Sequence, residues 1–281
     1  MNLDADAPDQ PPSEEELTRR MRTATFEVIG RFADASNATL LVRLTDRDAR
    51  TLAELAEELG RDPELDDLDP SDLAVHKPRR GESPLWDFPT GTLHLREAAA
   101  YEVSAALGWD LVPVTVVIDA GPFGPGSLQR YVPHDPAHHY FHLLERGGEA
   151  VLEQLRAMVV LDAVIDNADR KGGHVLLERS TERGGRLGGQ VRLVDHGVSF
   201  NVDHKLRTVG WHFAGEPVPH WLRTDVATLA DELSDGALRD RLGRLLTGAE
   251  LAVLAERVGV VAAREVFPEP GGRHPFPWPM L

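Results

Sequence analysis

Residues 165–177, IDNADRKGGHVLL, and residues 193–197, LVDHG, decide the fold of this chain. The first stretch follows a strongly apolar segment, Glu149–Ile165, which predicts a buried helix. Each stretch adjoins a short aliphatic run that predicts a strand, so each places charged side chains in a loop beside a regular element. Between them, residues 180–190, STERGGRLGGQ, are expected to form a flexible turn.

The two loops carry side chains that suit phosphoryl transfer. Asp169 is followed by a cation, Lys171, and by an imidazole, His174, while Asp195 comes at the end of a predicted strand. Phosphoryl transfer needs a carboxylate to orient the attacking hydroxyl, a cation for the transferred phosphate and hard ligands for the metal that bridges the phosphates. The spacing therefore predicts a catalytic loop and a metal-binding segment.

The scarcity of lysine points to the same chemistry. The chain has 30 basic residues, and only Lys77, Lys171 and Lys205 are lysine. A coding bias towards Arg explains the ratio, and against that bias a retained Lys suits a site where a compact ammonium meets one phosphate oxygen. Lys77 ends a predicted strand, and Glu97 follows 20 residues later in the predicted helix Thr92–Leu107. A phosphate-binding Lys and its acidic partner need this arrangement.

Together these segments resemble the protein-kinase-like superfamily, and within it the branch of phosphatidylinositol 3- and 4-kinases and HipA-type kinases. Residues 165–177 resemble the catalytic loop of that branch, with Asn167 and Asp169 at the start of its Asn-x-Asp-x-x-x-x-Asn pattern. VDHG resembles its metal-binding Asp-Phe-Gly segment, VHKP its nucleotide-binding Lys strand, and REAAAY the helix with the acidic partner. The similarity spans roughly Thr25 to Pro219, and the motifs as a set also resemble an actinobacterial family with this predicted fold.

The resemblance implies an ATP-dependent phosphotransferase of the α+β class with two lobes, an N-terminal antiparallel sheet with one helix and a mostly helical C-terminal lobe. The implied cofactors are ATP and Mg²⁺ or Mn²⁺. Asp195 and His174 would hold the metal, Asp169 would orient or deprotonate the acceptor hydroxyl, and Lys171 would neutralise the transferring phosphoryl group. The residues implied in nucleotide binding are Lys77, Glu97, Ser36, Asn37, Gln129, Tyr131 and Val132.

Several positions depart from the most familiar kinase pattern. The turn between the first two strands lacks Gly-x-Gly-x-x-Gly, and phosphoinositide kinases use small polar residues there, which makes Ser36 and Asn37 the candidates for phosphate contact. Residues Leu128–Val132 fall where the hinge that receives adenine is expected. His174 replaces a metal-binding Asn and His196 replaces the usual Phe. Because imidazole suits Mn²⁺ or Zn²⁺ better than Mg²⁺, the choice of metal depends on His174.

Composition limits the partners. Acidic residues outnumber basic ones by 46 to 30, which gives a net charge of −16. Such a surface is a poor partner for nucleic acid or an anionic bilayer, so neither is expected, nor is an acceptor embedded in lipid. Cys is absent, which excludes disulfides and a cysteine nucleophile. With neither a signal peptide nor an apolar run of about 18 residues, a cytoplasmic protein is expected.

The predicted elements fall into two lobes. Residues 1–12 are expected to be a disordered tail, and residues 13–132 to form the lobe with the sheet, including an acidic insertion at about 46–72. Residues 133–267 form the predicted helical lobe, and the Pro-rich residues 268–281 a tail without regular structure. A cleft between two lobes is a common place for a ligand.

Other functions stay open at this point. The His at the metal position favours a nucleotide-binding pseudokinase without transfer, and nucleotidyl transfer is compatible with the same loops. A metal hydrolase would instead use His174, Asp195, His196 and His204. The acceptor is expected to be the hydroxyl group of a protein or of a small soluble molecule. Lys205 is either a substrate contact or an ordinary loop charge.

Overall fold

A computed structural model of the protein describes residues 13–32, 37–45, 51–121, 123–272 and 274–281. The predicted tail 1–12 and Ser36 lie outside the described residues, as does the start of the acidic insertion. Two hydrophobic cores organise the described chain, a smaller one against an N-terminal sheet and a larger one among the C-terminal helices.

The N-terminal part contains an antiparallel sheet of five strands in the order β1-β2-β3-β5-β4. Its strands are β1 (Thr25–Arg31), β2 (Leu40–Thr45), β3 (Leu73–Pro78), β4 (Thr115–Ile118) and β5 (Gly126–Arg130). Along β2, Leu40, Val42 and Leu44 alternate with residues of the other face, as one-sided burial requires. They share the smaller core with Leu17 and Met21 from the preceding helix.

Side-chain caps set where the first helices begin. Helix α1 (Glu14–Thr23) starts at Ser13, whose hydroxyl accepts the main-chain N–H of Glu16. Helix α2 (Leu52–Leu59) begins with a reciprocal capping box between Thr51 and Glu54. Helix α3 (Leu93–Ala106) is buried on several faces, because it contacts β4 and β5 of the sheet as well as a C-terminal helix.

The C-terminal part is mostly helical and is built around a long central helix. Its elements are α4 (Tyr140–Arg146), α5 (Glu149–Ile165), β6 (Val175–Arg183), β7 (Arg186–Leu193), α6 (His220–Ser234), α7 (Ala237–Leu242) and α8 (Gly248–Ala262). Helix α5 has the predicted bounds and runs through the larger core, where Leu155, Met158 and Leu161 are buried beside Leu254 and Val258 of α8. The loop that follows α5 therefore starts from a fixed support.

The expectation of a flexible turn over residues 180–190 is wrong. Strands β6 and β7 pair antiparallel as far as Arg183 and Arg186. Gly184 and Gly185 make the two-residue turn with φ values of 56° and 74°. Consecutive residues with positive φ match the twist of a hairpin, and glycine adopts them without steric cost. The Gly-rich composition thus indicates a tight turn within a long hairpin.

The α+β class and the order of elements agree with the sequence prediction. Residues 268–281 contain no helix or strand among those described, but they pack against the helical part. The carbonyl of Pro275 accepts the indole N–H of Trp211 at 2.7 Å, and that of Met280 accepts the N–H of Gly172 at 2.7 Å. Within the described ranges, every helix is too short or too polar to cross a bilayer.

Candidate active site

Lys77, Glu97 and Asp195 meet at one point between the sheet and the helical part. Lys77 lies on β3, Glu97 on α3, and Asp195 two residues after the end of β7. The Lys77 ammonium contacts the Glu97 carboxylate and lies 2.9 Å from Oδ1 of Asp195. The predicted pair of Lys77 and Glu97 is thus in contact, and Asp195, 118 residues after Lys77 in the chain, joins it. Their role towards a nucleotide stays a prediction.

The electrostatics of this group keep all three side chains charged. Burial lowers the pKa of Lys77, but the charges of Asp195 and Glu97 outweigh burial, and the pKa is raised. Burial raises the pKa of each carboxyl group, but the Lys77 ammonium and the neighbouring rings of His174 and His196 together outweigh burial, so both pKa values are lowered. One ammonium between two carboxylates leaves a net negative charge, which favours binding of a further cation.

His196 fixes the segment after β7 to helix α3. Its main-chain N–H donates to Oε2 of Glu97 at 2.9 Å, and its ring is fully buried. Burial lowers the pKa of His196 to about 4, so the ring is neutral at pH 7. The chain turns sharply just before this residue, because Asp195 adopts a φ of 62°. His196 therefore occupies a buried position, as a Phe would.

Asp169 of the predicted catalytic loop is held in place by one main-chain and one side-chain contact. The Asp169 carboxylate lies 3.1 Å from the Lys171 ammonium, and the Asp169 N–H donates to Oδ1 of the buried Asn167 at 2.9 Å. Burial raises the pKa of Asp169, the Lys171 charge opposes this shift, and the charge of Asp195 adds to it. Because His174 of the same loop lies 3.4 Å from Asp195, the two loops meet at one site.

His174 stands beside Asp195 and not in a separate cluster. Its Nε2 lies 3.4 Å from Oδ2 of Asp195, and its Nδ1 accepts the main-chain N–H of Lys171 at 3.4 Å. Burial lowers the pKa of His174 to about 4, which leaves the ring neutral at pH 7, the form that ligates metals. One carboxylate and one imidazole suit a divalent cation that takes its other ligands from phosphates and water.

A buried ion pair that sequence reasoning missed supports the catalytic loop. Arg170 donates from Nε to Asp162 at 3.0 Å and from Nη1 to the carbonyl of Val194 at 2.7 Å. Thr208 donates to the same Asp162 carboxylate at 3.0 Å, and both ionic side chains are fully buried. Arg170 therefore joins α5, the catalytic loop and the segment before Asp195. The only signal in the sequence is that Asp162 is the one acid in the otherwise apolar second half of α5, residues 157–165.

A second ion pair, also missed, fixes the helix that carries Glu97. Arg96 contacts Glu250 at the start of α8 and donates to the carbonyl of Ser199 at 2.8 Å. Both side chains are buried. Glu250 also closes the capping box with Thr247, so one carboxylate serves the helix start and the ion pair. These residues are 154 positions apart, and no local pattern links them.

The residues predicted to bind the rest of the nucleotide have structural partners of their own. Oδ1 of Asn37 accepts the N–H of Ser83 at 2.7 Å, so this side chain holds the loop after β3. Gln129 is buried and donates to Thr115 at 2.8 Å. The N–H of Tyr131 donates to Leu73, and the carbonyl of Val132 accepts from His134. The side chain of Gln129 is thus occupied within the sheet, and the roles of Gln129, Asn37, Tyr131 and Val132 stay predictions.

The proposed metal hydrolase site is not assembled. His204 is exposed and lies 2.7 Å from Asp166, while His196 is buried against Glu97. Across the described part of the chain, no three His, Asp or Glu side chains converge on a common metal position. Burial keeps His196 in the core, and the bond to Asp166 keeps His204 outside. Of the four residues proposed for the hydrolase, His174 and Asp195 therefore lie together, while His196 and His204 lie in other environments.

Lys205 has a partner away from the candidate active site. Its ammonium lies 2.7 Å from Asp87 and 4.7 Å from the centre of the Trp86 ring. Trp86 itself is 93% exposed, so it is not a packing residue between the two parts of the chain. A cation over an exposed indole ring is a favourable pair that leaves the other ring face in solvent.

The described elements form a fold of the protein-kinase-like class. The crystal structure of the Golgi casein kinase with Mn and ADP bound has a TM-score of 0.50 at 12% identity, over 89% of this chain and 74% of that chain. The structure of the Helicobacter pylori proinflammatory kinase CtkA matches over 87% of this chain and 94% of that chain, with a TM-score of 0.48 and 10% identity. Identity this low concerns the fold alone. The predicted kinase-like fold is confirmed by the first comparison, and the narrower branch stays a prediction.

Sequence comparison then gives the family. No protein-family model matches the chain. Protein Rv2133c of Mycobacterium tuberculosis (strain ATCC 25618 / H37Rv) is 40% identical over 283 residues, which cover 90% of this chain and 91% of that protein. The chain belongs to the same family as Protein Rv2133c.

Proposed function

We propose that the protein is an ATP-dependent phosphotransferase whose acceptor is a hydroxyl group of a protein or small molecule. The observation that carries the proposal is the contact of Lys77 with both Glu97 and Asp195, beside a loop that presents Asp169 and Lys171. The proposal places the nucleotide between a lobe of residues 13–132 and a lobe of residues 133–267. Motif spacing supports the phosphatidylinositol 3-/4-kinase and HipA-type branch.

Lys77 is proposed to bind the α- and β-phosphates while Glu97 holds its ammonium in place. A buried carboxylate partner keeps the ammonium extended towards the site and charged, which matches the raised pKa of Lys77. The Arg96 ion pair and the His196 N–H fix the Glu97 helix, so the geometry is set before a nucleotide arrives. Preorganised charge of this kind stabilises a transition state without reorganisation at the moment of reaction.

Asp195 and His174 are proposed to hold a divalent cation, Mg²⁺ or Mn²⁺. The cation would neutralise the phosphate oxygens and so stabilise the charge of the transferring group. The neutral ring of His174 suits Mn²⁺ better than Mg²⁺. The Golgi casein kinase, whose structure was solved with Mn and ADP, lends support to this choice of cofactor.

Asp169 is proposed to orient the acceptor hydroxyl and take its proton. The acceptor oxygen then forms a bond to the γ-phosphorus, the bond from that phosphorus to the β,γ-bridging oxygen breaks, and ADP leaves. The raised pKa of Asp169 makes it a stronger base than an exposed carboxylate. Lys171, 3.1 Å from Asp169, would neutralise the phosphoryl group in transfer.

His174 also favours a second candidate, a pseudokinase that binds nucleotide without transfer. An imidazole in place of an oxygen ligand weakens Mg²⁺ binding, and its Nδ1 accepts the Lys171 N–H, which favours a proton on the Nε2 atom that faces Asp195. Nucleotidyl transfer is a third outcome for the same loops. The position of a label on ATP distinguishes the two transfer reactions. ATP labelled on the α-phosphate labels the acceptor in nucleotidyl transfer, and ATP labelled on the γ-phosphate labels it in phosphoryl transfer.

The test combines nucleotide binding with turnover in three variants. Calorimetry with ATP and Mn²⁺ or Mg²⁺ measures binding, and ADP release with a mixed peptide and metabolite panel measures transfer. We expect Asp169→Asn to keep binding and to lose at least about 100-fold in turnover, since positioned acid–base groups contribute roughly that factor. Asp195→Asn is expected to lose metal-dependent binding as well. Asp240→Asn, on the exposed face of α7, is the matched control.

Two results would overturn this assignment. Turnover that survives both Asp169→Asn and Asp195→Asn would place the chemistry elsewhere. If none of the proteins binds ATP with either metal, both the kinase and the pseudokinase assignments are excluded. Binding without turnover over the whole panel would favour the pseudokinase.

A further inference from the structure

A cavity lies outside the candidate active site, within the helical part. Its volume is about 510 Å³, and its walls come from the loop after Asp195, the end of α8 and, near the C-terminus, Pro268, Glu269, Gly271, Gly272 and His274. The size is that of a small organic ligand. We call this cavity the basic pocket, because six basic side chains line it: His204, Lys205, Arg207, Arg257, Arg264 and His274.

The sign of the charge in the basic pocket is opposite to that of the whole chain. Four Lys or Arg side chains and two imidazoles face one lining acid, Glu269. The chain as a whole has 46 acidic residues and 30 basic ones. A cluster of cations around a concave surface raises the local concentration of anions. The concentration of positive charge here thus points to an anionic ligand.

Two guanidinium groups of the basic pocket are available to a ligand. Within the described ranges, the side chains of Arg207 and Arg264 make no hydrogen bond or ion pair. Lys205 and Arg257, in contrast, are held by Asp87 and by the carbonyl of Asn201. A guanidinium binds phosphate or carboxylate with two parallel hydrogen bonds.

A buried carboxylate arranges the pocket in advance. Asp166 is fully buried, and its Oδ2 accepts the main-chain N–H of Lys205 at 2.9 Å. The same carboxylate lies 2.7 Å from Nδ1 of His204 and 3.8 Å from the guanidinium of Arg257. Asp166 thus anchors three lining residues, His204, Lys205 and Arg257, before a ligand arrives, which lowers the entropic cost of ordering that wall on binding.

Apolar side chains complete the lining. Leu206, Trp211, Val260 and Val261 face the cavity beside the cations. We propose that the basic pocket binds a small organic polyanion, either a phosphate ester or a polycarboxylate, at a site separate from the nucleotide. The guanidinium groups would meet the charges, and the apolar wall would contact the carbon skeleton.

The pocket is joined to the catalytic loop through one residue. The N–H of Arg207 donates to the carbonyl of Asn167 at 2.9 Å, and its own carbonyl accepts the N–H of Arg170 at 3.0 Å. The two contacts enclose Asp169, whose pKa the Arg207 charge also lowers in part. A ligand that engages Arg207 would thus contact the support of the catalytic loop without entering the candidate active site.

The test uses defined probes and the full chain. Calorimetry at 50 mM NaCl measures the binding of fructose 1,6-bisphosphate, citrate and, as the uncharged reference, fructose. The pocket variant is Arg207→Gln with Arg264→Gln, the control is the doubly exposed pair Arg239→Gln with Arg244→Gln, and Lys77→Met reports on the candidate active site. Loss of a hydrogen bond to a charged group costs about tenfold in affinity or more, so the pocket variant should lose at least that factor.

The result expected is binding of one or both anions, weakened in the pocket variant, retained in the control and in Lys77→Met, and absent for fructose. Fructose 1,6-bisphosphate alone identifies a phosphate ester, and citrate alone a polycarboxylate. The proposal is overturned if neither anion binds at 10 mM, a concentration chosen to detect roughly millimolar affinity. It is overturned equally if the pocket variant binds as the control does, or if Lys77→Met abolishes binding. None of these results depends on phosphotransfer, so the site and the proposed activity can fail separately.

Discussion

Replacement of Asp162 by Asn tests the buried ion pair beneath the catalytic loop. Asp162 and Arg170 have no exposed surface, and the carboxylate accepts hydrogen bonds from Arg170 and Thr208. The change removes one charge and leaves the guanidinium buried without its counter-ion. Breaking a buried pair in this way costs about 3–5 kcal/mol. That is a large fraction of the roughly 5–15 kcal/mol by which domains are stable.

Urea unfolding measures the loss through the fluorescence of the five tryptophans. With a denaturant slope of about 3 kcal/mol per molar urea, a loss of about 3 kcal/mol moves the midpoint by about 1 M. The matched control is Glu149→Gln, which breaks the solvent-exposed pair of Glu149 with Arg156 at 3.0 Å. An exposed pair contributes about 0–1 kcal/mol, so its midpoint should shift by less than about 0.3 M.

A double variant separates the charge effect from simple loss of packing. Burial raises the pKa of Asp162, and Arg170 opposes that shift only in part, so desolvation outweighs the attraction within the pair. Replacement of both residues, Asp162→Leu with Arg170→Met, removes the two charges together and is expected to be less destabilising than Asp162→Asn alone. Equal midpoint shifts for Asp162→Asn and Glu149→Gln would refute the reasoning.

Two further buried carboxylates, Glu178 and Glu250, give predictions of their own. Burial raises the pKa of Glu178, but hydrogen bonds from Arg130 and Arg192 outweigh it and lower the pKa to about 2. Because the folded pKa lies below the unfolded one, this stability is present above about pH 4.5 and is lost as the pH falls towards about 2. Glu178→Gln should therefore lower the free energy of unfolding by about 2 kcal/mol at pH 7 and by progressively less in acid. Urea unfolding at several pH values measures this loss. A loss that is independent of pH would contradict the prediction. Glu250→Gln keeps a side chain that can cap α8 but breaks the ion pair with Arg96. The rate of amide hydrogen exchange in α3 should therefore rise at least about tenfold. An unchanged rate would show that the ion pair does not stabilise that helix.

Local patterns determined the elements and the motif residues. The helix starts at Ser13, Thr51 and Thr247 are set locally, because a cap is a contact between residues three positions apart. The bounds of α5 follow from one continuous apolar segment, Glu149–Ile165. The same locality explains the error over residues 180–190, where composition alone does not distinguish a tight hairpin from a loose turn.

The sequence by itself also named Lys77, Glu97, Asp169 and Asp195 as partners, because their spacing resembles that of a family whose fold brings such residues together. Only the tertiary structure determined what surrounds them. Packing of distant segments brings Arg170 into contact with Asp162 beneath the catalytic loop. The same packing places the cations of the basic pocket around one concave surface. Contacts between distant residues depend on the path of the whole chain, and neither periodicity nor composition encodes that path locally.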